Sequence, residues 1–262
     1  MQDLSRSFGA LHVQISGPVG APAVVFANSL GTDLRLWDAV LPLMPAGLRL
    51  LRYDKRGHGL SDVDAESCDI ADHIDDAIAV ISAFAQGPVV FVGLSIGGLI
   101  AQGVAHRRPD LVRALVLSNT AARLGTAQSW ADRIAAVQTG GCGAIADAVM
   151  QRWFGAEFLA NPALPLWRNM LGRTSAEGYL AACHALSAAD LRAQTAQITL
   201  PTLVISGEVD GASPPALVKD TADLIKGAQY QCIPNAGHLP CVEAPEKWAA
   251  LVIPFLKAHL NV

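Results

Sequence analysis

Residues 89–98 read VVFVGLSIGG, and this stretch determines the fold that the sequence predicts. The apolar run Pro88–Leu94 has the length of a strand and the composition of one buried on both faces of a sheet. The following segment, Ile96–Arg107, is rich in Gly and Ala, which predicts a helix packed close to that sheet. The pattern G-x-S-x-G at the junction is typical of a sharp strand-to-helix turn that projects a nucleophilic serine, here Ser95.

The residue types around Ser95 have a chemical explanation. Gly93 and Gly97 remove side chains that would collide with neighbouring backbone in so tight a turn. The free N–H groups at the start of a helix favour negative charge, so the backbone N–H of Ile96 is a candidate oxyanion donor. A serine in a purely structural turn is the competing interpretation, and the flanking strand and helix favour the catalytic one.

Outward from this turn, strand-like and helix-like segments alternate, which predicts an α/β fold with a mostly parallel central sheet flanked by helices. The predicted strands are Leu11–Ser16, Ala23–Ala27, Leu48–Tyr53, Pro88–Leu94, Val112–Leu117, Thr202–Ser206 and Tyr230–Ile233. The predicted helices of the alternating part are Asp69–Ala85, Ile96–Arg107 and Pro245–His259.

Residues 121–189 interrupt the alternation. This stretch has no clear strand, and its large apolar side chains, with three of the five Trp, follow helical spacing. A connection of this length is uncommon unless it has a function of its own. We therefore predict a helical cap at 121–189 over the carboxyl edge of the sheet, inserted into a core domain of residues 1–120 and 190–262.

Composition limits the classes of protein to which the chain can belong. Of its 262 residues, 52% are hydrophobic and 16% are charged, which indicates a large buried core rather than disorder. The net charge of −4 and the lack of a basic stripe argue against a nucleic-acid partner. The absence of a secretory signal and of a long apolar span predicts a cytoplasmic protein with no membrane partner.

Cysteine usage and loop patterns point away from cofactors. The five cysteines are widely spaced and form no C-x-x-C, so we expect neither a disulfide framework nor a metal site. No glycine-rich phosphate loop followed by Lys is present, so the sequence implies no cofactor. Oligomeric state has no signal in the sequence.

Three further motifs, together with the turn at Ser95, make the chain resemble the α/β-hydrolase family along nearly its full length. Residues 54–61 (DKRGHGLS) resemble a family loop, residues 204–210 (VISGEVD) the stretch that carries the acid, and residues 235–238 (NAGH) the stretch that carries the histidine. The resemblance implies a Ser-His-Asp hydrolase with the chain order Ser, Asp, His.

The chain order Ser, Asp, His is used to assign the base and the acid. Among seven histidines, His238 follows the last predicted strand in a Gly-containing loop and is the predicted base. Glu208 and Asp210 both follow the strand Thr202–Ser206; the family position matches Asp210, which leaves Glu208 as a surface group. His238 is expected to take the proton of Ser95, while Asp210 orients the imidazole and stabilises its cation.

The second oxyanion donor is implied by the same resemblance. Residues 28–31 read NSLG and match the loop that supplies this donor, although many relatives have His-Gly where this chain has Asn28-Ser29. The backbone N–H of Leu30 is therefore the predicted partner of the Ile96 N–H.

A finer resemblance concerns the substrate. Residues 26–32 (FANSLGT), residues 52–59 (RYDKRGHG) and the turn at Ser95 are similar to those of 3-oxoadipate enol-lactonases. These enzymes open a small five-membered enol-lactone in bacterial aromatic catabolism. The resemblance implies a small, carboxylate-bearing lactone as the substrate.

The cap offers residues for such a substrate. Trp130 and Arg133 lie three apart, which places them on one face if they lie on a helix. We predict that Trp130 forms a wall for the ring and that Arg133 pairs with the carboxylate, with Arg152 as the alternative partner. Trp153 is a further predicted contact.

Other functions fit the same motifs. A general small carboxylesterase or a cofactor-free perhydrolase or haloperoxidase would use the same triad. A non-catalytic binding or scaffold member of the fold could keep the pocket, but it would not need all three triad residues.

Overall fold

The computed structural model describes residues 2–63 and 68–260. Eight strands form one sheet in the order β1-β2-β4-β3-β5-β6-β7-β8. β2 pairs antiparallel with both β1 and β4, and the remaining neighbours are parallel. The strands are β1 (Gln2–Arg6), β2 (Gly9–Ser16), β3 (Ala23–Ala27), β4 (Arg49–Tyr53), β5 (Val89–Leu94), β6 (Val112–Ser118), β7 (Thr202–Gly207) and β8 (Gln229–Ile233).

Helices follow the strands along the chain, and the α/β-hydrolase fold expected from the sequence is confirmed. Within the described ranges the α-helices are α1 (Ile70–Phe84), α2 (Ile96–Arg107), α3 (Ala127–Trp153), α4 (Ala156–Leu159), α5 (Leu164–Gly172), α6 (Ala176–Ala188), α7 (Arg192–Thr195), α8 (Pro215–Leu224), α9 (Pro240–Glu243) and α10 (Pro245–Leu260). In this part of the chain, none of them has the length and apolar character of a membrane-spanning helix.

All seven predicted strands are present, and their ends lie within two residues of the prediction. Strand β1 and the helices α7, α8 and α9 were not predicted. β1 is a polar edge strand whose side chains are mostly exposed, so it has no run of apolar residues to mark it. Its pairing with β2 is made by backbone groups, which carry no sequence signal.

The central strands place four loops at one edge of the sheet. Every residue of β5 and β7 is buried, as expected for strands covered on both faces. Because parallel strands point the same way, the loops after β5, β6, β7 and β8 meet at the carboxyl edge. These loops contain Ser95, Asn119, Asp210 and His238 respectively.

The helices α3 to α6 lie between β6 and β7, within the predicted cap 121–189. α3 consists of two helical segments that meet at Gly141, whose φ is +65°. α3 packs against α5 and α6. The limits of the cap and of the core domain stay predictions, and residues 1, 64–67 and 261–262 of that core lie outside the described residues.

Candidate active site

Ser95 occupies a strained turn between β5 and α2. Its φ of 57° and ψ of −120° are uncommon for a residue with a side chain. A Cβ at Gly97 would lie 2.1 Å from the carbonyl oxygen of Ala27, and one at Gly93 would lie 2.2 Å from that of Gly97. The neighbouring backbone passes so close to residues 93 and 97 that only glycine fits at these positions, as the sequence pattern indicates.

His238 and Asp210 form a buried pair. Nδ1 of His238 lies 2.9 Å from Oδ2 of Asp210, and the residues are 2% and 4% exposed. Glu208 does not share this contact, because its Oε2 accepts the N–H of Asn235 at 2.8 Å and its side chain is exposed. Of the two carboxylates considered from the sequence, Asp210 is the one beside the histidine.

The surroundings of Asp210 favour its ionised form. Burial raises the pKa of the carboxyl group, but the charge and hydrogen bond of His238 and the bonds from Asn119 and Ser213 oppose it. The net effect is a pKa below the ordinary 3.8. Asp210 can therefore remain an anion that orients the imidazole and stabilises its cation.

Leu30 and Ile96 present two backbone N–H groups beside Ser95. Among the residues that the structure describes, neither N–H has an acceptor within the chain. The loop before Leu30 is fixed by Asn28, whose Oδ1 accepts from Trp37 Nε1 at 3.0 Å and whose Nδ2 donates to the carbonyl of Tyr53 at 3.2 Å. The two N–H groups are therefore available as hydrogen-bond donors, which is what an oxyanion hole needs.

The three predicted triad positions lie at one cavity, which is partly open to solvent. Ser95 and His238 line it directly, with Asp210 behind the histidine. The four cap residues predicted from the sequence also line it. They are Trp130, Arg133, Arg152 and Trp153. The other lining residues are Ser29, Leu30, Leu124, Gly125, Ser129, Val149, Tyr179, Leu186 and Ala212.

Two guanidinium groups give the cavity a positive character. Arg133 donates to the hydroxyl of Tyr179 at 3.1 Å, and Arg152 donates to the carbonyl of Gly211 at 3.1 Å. Within residues 2–63 and 68–260, neither arginine takes part in an ion pair. Burial and the charge of Arg133 lower the pKa of Arg152, so a bound anion would relieve their repulsion.

The end of α3 binds the loops that contain Asp210 and His238. The backbone N–H of His238 donates to the carbonyl of Trp153 at 2.7 Å, and that of Gly211 donates to the carbonyl of Arg152 at 3.2 Å. Glu243 adds a second link, because its carboxylate accepts the N–H groups of Gly155 and Gly237.

In the part of the chain that the structure describes, no group of three His, Cys, Asp or Glu side chains could hold a metal ion. A family model described as alpha/beta hydrolase fold matches residues 22–245. This chain belongs to the alpha/beta hydrolase family.

The relatives of this alpha/beta hydrolase include lactonases. It is 33% identical to "3-oxoadipate enol-lactonase 1" of Acinetobacter baylyi, over 97% of this chain and 96% of that protein. The crystal structure of the enol-lactonase from Burkholderia xenovorans LB400 superposes with a TM-score of 0.93 at 35% identity, covering 98% of this chain and all of that one. A hydrolase from Pseudomonas aeruginosa PA01 gives a TM-score of 0.92 at 36% identity, covering 97% of each chain.

This alpha/beta hydrolase also has site residues that the sequence reasoning missed. Nδ2 of Asn119 donates to Asp210 at 3.0 Å and to the carbonyl of Gly237 at 3.1 Å. The hydroxyl of Ser213 donates to Oδ2 of Asp210 at 2.7 Å and lies 3.2 Å from Nδ1 of His238. Asn119 follows β6, beside the strand that carries the acid, and that position is the one signal that could have identified it.

The hydroxyl of Ser29 was also not predicted to take part in the site. Its Oγ lies 3.5 Å from Nε2 of His238, on the side of the imidazole opposite to Asp210. Ser29 lines the cavity together with Ser95. The imidazole is therefore contacted at both nitrogens by polar side chains.

Proposed function

We propose that this alpha/beta hydrolase opens the ring of 3-oxoadipate enol-lactone to give 3-oxoadipate, in the catabolism of aromatic compounds. Ser95, His238 and Asp210 form its triad, and Leu30 and Ile96 supply the oxyanion hole. One observation carries the proposal: the His238–Asp210 pair at 2.9 Å faces the Ser95 cavity, where two arginines have no carboxylate partner among the described residues. The likeness to enol-lactonases over nearly the whole chain supports it.

The first half of the reaction forms an acyl-enzyme. Oγ of Ser95 attacks the lactone carbonyl carbon while its proton passes to Nε2 of His238. The carbonyl electron pair moves to the oxygen, which becomes an anion held by the N–H groups of Leu30 and Ile96. When this intermediate collapses, the ring C–O bond breaks and the leaving oxygen takes the proton from His238.

The second half releases the product. A water molecule gives a proton to His238 and attacks the acyl carbon, and the bond to Ser95 breaks as its oxygen regains a proton from His238. The opened ring carries an enol, which becomes a ketone by moving one proton. Asp210 stays ionised throughout and stabilises the imidazolium that forms twice per cycle.

The cavity lining fits a small anionic lactone. Trp130, Leu124 and Val149 provide apolar surface for a ring. Arg133 and Arg152 lie within the same lining, and we propose Arg133 as the partner of the substrate carboxylate. The partner that this site requires is a small-molecule substrate. The cytoplasmic location of the protein stays a prediction.

Turnover of the enol-lactone, generated in situ, tests the proposal. The wild-type chain should hydrolyse it, and Ser95→Ala should abolish turnover while the circular dichroism spectrum stays unchanged. Labelling of Ser95 by a fluorophosphonate should occur in the wild type and be absent in the variant. Retained turnover in Ser95→Ala would rule out the covalent mechanism.

A second assay separates lactonase from esterase function. The ratio kcat/KM for the enol-lactone should exceed that for p-nitrophenyl acetate under the same conditions. The reverse order would assign the chain to general small esterases with the same triad.

A further inference from the structure

Lys55 lies beneath the loop that carries Leu30, and nothing in the mechanism above uses it. It is only 1% exposed, and its Nζ donates to the carbonyl oxygen of Ser29 at 2.8 Å. A buried ammonium costs free energy unless it has partners, so a lysine with no role beyond packing is unfavourable here. Burial lowers the pKa of Lys55 to about 7, and the charges of Asp54 and Asp33 oppose this change.

The carboxylates near Lys55 are occupied by other donors. Oδ1 of Asp54 accepts the N–H of Leu34 at 2.7 Å, and Oδ2 lies 2.8 Å from Nδ1 of His12. Asp33 is paired with Arg35. The charges of Asp33 and Asp54 raise the pKa of Lys55. The charge of Lys55 in turn lowers the pKa values of His58 and His73. Among the described residues, the direct hydrogen-bond acceptor of the ammonium is the Ser29 carbonyl.

This carbonyl belongs to the peptide unit whose N–H is that of Leu30. The peptide is planar and trans, so its C=O and N–H point in opposite directions. Anchoring the oxygen on the side of Lys55 therefore directs the N–H away from it, and Leu30 lines the cavity with Ser95. The same oxygen accepts from Thr32, through Oγ1 at 2.9 Å and through its N–H at 3.3 Å.

We propose that Lys55 is a positioning residue of the oxyanion hole. It holds the peptide between Ser29 and Leu30 in place and polarises it, so that the Leu30 N–H becomes a stronger donor to the oxygen that gains charge. Donors on a carbonyl oxygen strengthen the N–H of the same peptide, because hydrogen bonds in a chain polarise one another. This inference rests on the proposed role of Leu30 in catalysis.

The other oxyanion peptide has a similar arrangement. The carbonyl of Ser95, whose peptide partner is the N–H of Ile96, accepts from Oγ1 of Thr120 at 2.6 Å. Each of the two donor peptides is thus held from behind by side-chain donors. The Ser29 carbonyl differs in that one of its donors is the side-chain nitrogen of Lys55. The Ser95 carbonyl instead accepts the N–H groups of Gly98 and Leu99 in addition to the Thr120 hydroxyl.

The test compares Lys55→Met with Lys257→Met. Lys257 is the matched control because it is exposed on α10, away from the loops at the carboxyl edge of the sheet. Both variants remove one ammonium and keep an unbranched side chain. Only Lys55→Met removes the donor to the Ser29 carbonyl, so a difference between the two variants reports on that contact.

The readout is hydrolysis of p-nitrophenyl acetate and inhibition by a phenylboronic acid, which forms a tetrahedral adduct on a reactive serine. Loss of one oxyanion donor costs roughly 100- to 1000-fold in kcat, and a weakened donor costs less. We expect Lys55→Met to lower kcat by about 10- to 100-fold, with KM within about twofold, and to weaken boronate binding by a similar factor. Lys257→Met should match the wild type in all three quantities.

Unchanged kcat and boronate affinity in a folded Lys55→Met variant would overturn the proposal, as would a rise in KM at constant kcat. If Lys55→Met does not fold, Thr32→Val provides the test, since it removes the other side-chain donor to the same oxygen. It should lower kcat and boronate affinity together, and no change in either would contradict the proposal. A failure of the proposed function would be seen in a different variant. In that case Ser95→Ala would still hydrolyse the ester.

Discussion

Glu243 offers a sharp test of how the site is held together. Its carboxylate accepts the N–H of Gly155 at 2.9 Å and the N–H of Gly237, the residue before His238. Glu243→Gln keeps the shape but has one acceptor oxygen and one NH₂ group, so one of the two N–H groups must face another donor. Hydrogen bonds to charged groups contribute about 1.5–3 kcal/mol each.

We expect the variant to lose about 2 kcal/mol of unfolding free energy. This value lies in the lower part of the range for one charged hydrogen bond, because the side chain of Glu243 is only partly buried. For a chain of this size, that corresponds to a fall in Tm of about 4–8 °C. Because Gly237 adjoins His238, kcat should also fall, by about tenfold. Differential scanning calorimetry and p-nitrophenyl acetate hydrolysis measure the two effects.

Glu208→Gln is the matched control. Glu208 also accepts a backbone N–H of this loop, that of Asn235 at 2.8 Å, but its side chain is exposed. Its change to Gln should lower Tm by no more than about 1–2 °C. If the two variants melt at the same temperature and retain the same kcat, the link through Glu243 does not hold the histidine loop.

Three further predictions concern the charges of the site. Arg133→Met should raise KM for the anionic enol-lactone by about tenfold and change KM for p-nitrophenyl acetate by less than about twofold, and equal changes would remove Arg133 from carboxylate recognition. The pKa of Asp210 is lowered, so its stabilising contribution is present above the ordinary 3.8 and is lost as the pH falls through the folded-state pKa. The wild type should therefore exceed Asp210→Asn in free energy of unfolding, measured in urea, by less in acid than at neutral pH. A difference that grows as the pH falls would contradict this prediction. Asn119→Ala should cost about 2 kcal/mol in the same measurement, because a buried carboxylate and the Gly237 carbonyl each lose a donor, and a loss below about 0.5 kcal/mol would refute it.

The sequence predicts this fold well because its signals are local. The turn at Ser95 is marked by two glycines whose places no larger residue can take, and β5 is a continuous apolar run. β1 was missed because an edge strand that is largely exposed needs no apolar residues.

The site itself was predicted only in part, since its contacts join distant parts of the chain. Asn119 and Asp210 are 91 residues apart in sequence, and Ser29 and His238 are 209 apart. No spacing rule brings such pairs together. Lys55 illustrates the limit most clearly, because its significance depends on the direction in which one peptide carbonyl points.

The bonds at the end of α3 have a consequence for how this chain can change. The carbonyl oxygens of Arg152 and Trp153 help to hold the loops of Asp210 and His238, while Ser95 is held by β5, α2 and Thr120. A substitution that moves this helix end to admit a different substrate also changes the distance over which the proton must travel. Specificity and turnover are therefore coupled properties here, and altering one without the other requires that the backbone at residues 152 and 153 stay where it is.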